Sequence, residues 1–111
     1  MAPYNLTEKE YRLALKAALV IEAVPDALDA MTGIAARWLD QDGRLQEAAN
    51  VLAYVISHPD VDHDTFDYAD ERFMELESSI CPRVIQDARE FILSKSLTTM
   101  ANYIDSIEMA D

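Results

Sequence analysis

The sequence predicts an all-α fold, an array of about six antiparallel helices forming a single domain over residues 1–111. Three observations lead there. Apolar residues recur at spacings of three and four along most of the chain, the period of a helix with a buried face. No stretch alternates apolar and polar residues with period two, so no strand is expected. The chain holds only 2 Gly, and it is rich in Ala and Leu, which lose little entropy in a helix.

The first helix is predicted to start at Thr7. Thr7 and Glu10 have the spacing of a capping box, in which each side chain satisfies the other's backbone N–H. It runs to about Ala23, before Pro25 restricts the preceding residue. Its apolar residues fall in two stripes, Tyr11, Leu15, Ala18 and Leu19, and Leu13, Ala17, Val20 and Val24. Two stripes imply two neighbours, as in a helix inside a stack. The second helix spans about Asp26 to Gln41 and stops at Asp42-Gly43, a turn with Gly free to take positive φ.

The third helix, about Arg44 to Ser57, carries Leu45, Ala48, Leu52, Val55 and Ile56 at a clean helical period and ends at His58-Pro59. His58 is expected to cap its last carbonyls. The polar loop from Asp60 to Thr65 supplies an N-cap for the fourth helix, about Thr65 to Ser79, whose stripe is Phe66, Ala69, Phe73, Leu76 and Ile80. The fifth helix runs from Pro82 to about Leu93, with Pro at its first position. Ser96 caps the last, which presents Leu97, Met100, Ala101, Ile104 and Ile107. Trp38, Tyr54, Tyr68 and Tyr103 are expected in or beside the core.

Composition narrows the function classes. The 111 residues suffice for one core, and 50% of them are hydrophobic, which argues against disorder. A formal net charge of −12 repels nucleic acid and anionic membrane surfaces, so neither is an expected partner. A basic protein is the electrostatically matched one, and the same acids also serve as a solubilising exterior. Cys81 is the only cysteine, so no intramolecular disulfide forms, which fits a reducing compartment. Residues 1–10 lack the apolar core of a signal peptide, and the most apolar segment, Leu13–Val24, is too short and too charged to span a bilayer. A cytoplasmic location is expected.

Two longer patterns carry a family resemblance. Residues 27–57 form a helix-turn-helix with Gly43 at the turn and Ala48 five residues later, which resembles a tetratricopeptide repeat. Ala36 and Leu52 fall at the repeat's usual small and large core positions. Val55 replaces its usual Ala, and Pro59 falls about one residue early. The run from Val24-Pro25 through Ala27-Leu28, Ala30-Met31 and Gly33-Ile34-Ala35, then Gly43, Ala48-Ala49 and Val51-Leu52-Ala53, then His58-Pro59, Phe66, Ala69, Phe73 and Glu75-Leu76-Glu77, is similar to a known tail. That tail is the C-terminal end of tetratricopeptide-containing bacterial signalling ATPases and transcriptional activators, where it closes a helical-repeat array. Ser94-Lys95-Ser96-Leu97 and the helix after it resemble the tail's last segment. The resemblance implies a regulatory, signal-transducing, protein–protein interaction role without catalytic residues of its own.

Local motifs for chemistry are weak. Asp60, Asp62 and Asp64 with Glu71 echo a calcium loop, but Thr65 stands where that loop needs Gly, and the helical period already runs through Phe66. An Asp-rich capping turn is the better reading. His58 and His63 lack Cys neighbours and an i, i+4 His pair, so no metal site is expected. Cys81 at a helix start lacks an arguable His partner. No glycine-rich phosphate loop, G-x-S-x-G or HExxH is present. The expectation is a non-enzyme with no cofactor.

The acidic run is the sharpest remaining feature. Eight acids against one base, Arg72, lie between Asp60 and Glu77. On the fourth helix, Asp67, Asp70, Glu71 and Glu75 fall opposite the Phe66–Phe73 stripe and are the expected partner contacts. An alternative from another class is a small acidic inhibitor or nucleic-acid mimic that blocks a basic protein surface. The second stripe of the first helix, uncovered where the family has a preceding repeat, suggests homodimerisation through that end.

Overall fold

The computed structural model describes residues 4–79 and 82–108, so the expectations for Ile80 and Cys81 lie outside the described residues. Six α-helices follow one another: α1 (Glu8–Val20), α2 (Val24–Arg37), α3 (Leu45–Ser57), α4 (His63–Ser79), α5 (Pro82–Phe91) and α6 (Leu97–Ser106). No strand occurs among the described residues, and no helix there is long and apolar enough to cross a membrane.

The caps explain where the helices begin and end. Thr7 and Glu10 form the expected box, with Glu10 N–H to Thr7 Oγ1 at 3.2 Å and Thr7 N–H to Glu10 Oε1 at 3.0 Å. At its other end α1 closes earlier than Ala23. Ala23 N–H donates to Ala18 O at 2.8 Å and Glu22 N–H to Leu19 O at 3.2 Å, the paired bonds of a Schellman motif. Glu22 takes the left-handed position (φ 57°) where glycine is usual. This sharp stop lets α2 start at Val24 with Pro25 in its first turn, where a missing N–H costs nothing.

The stretch expected to complete α2 widens instead. Residues Trp38–Asp42 form a π turn that ends on Gly43 (φ 66°), whose N–H returns to Trp38 O. The turn carries Trp38 into full burial, and its indole N–H finds no acceptor among the described residues. The expected positive φ at Gly43 is present. Asp62 Oδ1 accepts the Thr65 N–H at 2.8 Å, so α4 begins at His63, and Ser96 caps α6 by accepting the Thr99 N–H at 3.1 Å. His58 is the C-cap of α3 through its backbone N–H, which donates to Val55 O at 3.2 Å, but its ring does not cap the helix. Its Nδ1 accepts the Asp60 N–H at 3.1 Å and so closes the following turn.

Around α3 sits the core. Every residue from Ala48 to Val55 is buried, and α3 packs against α2, α4 and α5. Ala36, Ala48 and Leu52, the scaffold positions of the hairpin, are all buried. α1 packs on α2 through Tyr11, Leu15 and Ala18. The Tyr11 ring lies so close to Gly33 that a Cβ there would meet ring carbons at 2.6 Å. The expectation of two neighbours for α1 is not met: Leu13 and Val20 remain 58% and 82% exposed. α2 covers one side, and α6 meets α1 at Arg12 without covering that second stripe. α6 is held partly by polar bridges. Arg12 of α1 donates to Ile104 O at 3.0 Å and Ile107 O at 2.7 Å, and Glu8 pairs with the same guanidinium at 2.7 Å.

Candidate interaction surface

α4 buries one stripe and carries a run of acids on its other side. Thr65, Ala69, Phe73 and Leu76 are its buried residues. The buried stripe therefore begins at Thr65 rather than Phe66, which is 37% exposed. Thr65 fits there because its hydroxyl donates to Asp29 Oδ1 at 3.1 Å, so a polar group can enter the core edge without an unmet bond.

The acidic residues expected as contacts lie together on the outward side. Asp67, Glu71 and Glu75 are exposed and Asp70 is half-buried. With Met74, Glu77 and Ser78 they border a shallow open hollow of about 590 Å³. Asp67 lies 3.2 Å from His63 Nε2, and Glu75 lies 3.8 Å from Arg72 Nε. Asp70 and Glu71 form no salt bridge among the described residues. The shortest contacts of the run's single base lie elsewhere, for Arg72 donates to Asp40 Oδ1 and to Tyr68 Oη, each at 2.9 Å. Its pKa is raised by those two hydrogen bonds against the opposing cost of burial. Asp70 and Glu71 are thus left for solvent or for a cationic partner.

Sequence reasoning missed Met74. It is 57% exposed in the middle of the acids, an apolar residue that the periodic stripe does not account for. Its position one residue after Phe73 was the available signal. Among the described residues no three His, Cys, Asp or Glu side chains gather as a metal-binding group. Asp62 is spent on the α4 cap, and Asp64 lies in the first helical turn, where the calcium-loop spacing is lost. No protein-family model matches the chain, and neither does a curated protein or a solved structure.

Proposed function

We propose that the chain is a non-catalytic protein–protein interaction module of tetratricopeptide-like type that docks a basic partner on the outward face of α4. The supporting observation is the clustering of Asp67, Asp70, Glu71 and Glu75 around exposed Met74, with Arg72 hydrogen-bonded to Asp40 and Tyr68 and touching only Glu75 of the four. Acids at the rim steer a cationic surface in, and a central apolar side chain provides an anchor that salt does not screen. A regulatory role in the cytoplasm fits such a module.

The test is affinity capture from cell lysate at low and high salt, with partners identified by mass spectrometry. A basic partner retained in part at high salt supports docking through acids and Met74 together. A partner lost steeply with salt favours the acidic inhibitor that blocks a basic surface by charge alone. Loss of nothing on neutralising α4 would refute both.

A second reading has its own observation. On α1, Leu13, Val20 and Ile21 are exposed at 58%, 82% and 72%. Around them Lys9, Arg12 and Lys16 balance Glu8, Glu10 and Glu22, so this stretch adds no net charge to the repulsion between two copies of this −12 chain. A homodimer would bury this face. Sedimentation equilibrium should then show self-association that Ile21→Asp abolishes, and a concentration-independent monomer would remove the idea.

A further inference from the structure

The junction of the N-terminal arm with α2 and α4 forms an open cleft of about 330 Å³. Three tyrosine rings wall it. Tyr4 meets Tyr68 edge-on at 4.7 Å between centroids (61°) and Tyr11 at 6.0 Å (63°). Leu6 adds an apolar side, and Asp29 and Asp64 bring two carboxylates.

The polar groups are arranged for a positive guest. Asp29 Oδ1 accepts the Tyr4 hydroxyl at 2.6 Å and the Thr65 hydroxyl at 3.1 Å, which leaves Oδ2 without a donor among the described residues. Asp64 is exposed and makes neither a salt bridge nor a side-chain hydrogen bond there. Among the described residues no lining side chain is basic. The two guanidiniums that touch the lining are engaged: Arg37 donates to Leu6 O at 2.6 Å, and Arg72 is held by Asp40 and Tyr68. Burial, then Asp29 and Asp62, push the Tyr4 phenol far above its ordinary range, as expected where the local potential is negative.

Aromatic faces beside carboxylates attract organic cations through the ring quadrupole and the counter-charge together. Tyr68 already hosts one such contact, with the Arg72 guanidinium 5.8 Å from its centroid. A bare primary ammonium is strongly hydrated and needs several acceptors. Ring carbon and Leu6 favour a cation whose charge is shielded by methyl groups. We infer that this cleft binds an alkylated ammonium group, with Tyr4 and Tyr68 contacting its methyls and Asp29 and Asp64 supplying the counter-charge. The inference stands apart from the docking surface on α4, and neither depends on the other.

Choline titrated into the ¹⁵N-labelled full chain tests it. Saturable shifts are expected at the amides of Leu6, Asp29, Thr65 and Tyr68. The alcohol in which carbon replaces choline's nitrogen should bind about tenfold more weakly, since it lacks the charge. Asp64→Asn removes an exposed, unbonded carboxylate and should weaken choline about threefold to fivefold without touching the fold. A short peptide carrying trimethyllysine separates the sources. Binding tighter than choline means the group arrives on a polypeptide, and equal binding means a free small molecule suffices; either supports the site. Equal affinity for the uncharged alcohol, an unchanged affinity in Asp64→Asn, or no saturable shift would overturn it.

Discussion

α3 and α4 are neighbours that pack together, yet they divide the work of the molecule. α3 buries eight consecutive residues, Ala48 to Val55, against helices on several sides. α4 buries four residues over its 17, and six of the other thirteen are acidic. The difference teaches where each helix is constrained. A helix with neighbours on several sides carries the fold and can spare no side chain. A helix with one buried stripe can carry any charge on its other side at little cost to stability. Surface chemistry on α4 can therefore be altered while the scaffold stays intact.

The largest effect should come from α3. Leu52→Ala is expected to cost about 2–5 kcal/mol in a denaturant titration, because a fully buried Leu leaves a cavity. Its counterpart on α4, Phe66→Ala, should cost clearly less, because Phe66 is 37% exposed. Equal losses would erase the distinction between the two helices.

Next comes the polar clamp at the far end of the chain. Arg12→Met should destabilise by about 1–3 kcal/mol, since it removes the side-chain donor from the Ile107 carbonyl, one of two donors from the Ile104 carbonyl, and the partner of Glu8. Hydrogen exchange should accelerate first in the last turn of α6. Uniform acceleration instead would mean that the clamp supports the whole core.

The arm that meets α4 has a pH signature. Tyr4 is raised above a tyrosine's ordinary pKa of 10.0, so its neutral form is favoured in the folded chain. That contribution is complete below pH 10.0 and declines as pH rises past it, because the unfolded chain ionises first. Tyr4→Phe should flatten this alkaline decline. The smallest effect belongs to α4 itself. The combined change Asp67→Asn, Asp70→Asn, Glu71→Gln and Glu75→Gln should move stability by no more than about 0.5 kcal/mol per site, and relief of like-charge repulsion makes a small gain as natural as a loss.

Much of this was legible in the sequence. Helical periodicity located all six helices, and local side-chain chemistry located the Thr7, Ser96 and Gly43 boundaries. The four acids of α4 were legible because a helix of known phase fixes which side chains share a face. What periodicity could not decide was which stripe is covered. On α1 both stripes are apolar, and only tertiary packing chose Tyr11, Leu15 and Ala18 over Leu13 and Val20. The π turn at Trp38–Asp42 was hidden for a similar reason, since its sequence continues a good α-helix. The tyrosine cleft joins residues 4, 29 and 68, a juxtaposition that no local pattern encodes.

The most direct test of the docking account separates position from net charge. One variant carries the four α4 changes. A control carries Glu22→Gln, Glu90→Gln, Asp105→Asn and Glu108→Gln, all at exposed sites off α4. Each removes four negative charges and takes the formal net charge from −12 to −8. Affinity for the partner captured by the unaltered chain is then measured for both at one ionic strength. The account predicts a loss of tenfold or more, roughly 1.4 kcal/mol, for the α4 variant and near-unaltered binding for the control. Equal losses in both would show that net charge alone recruits the partner, and an unaltered α4 variant would place the contact elsewhere.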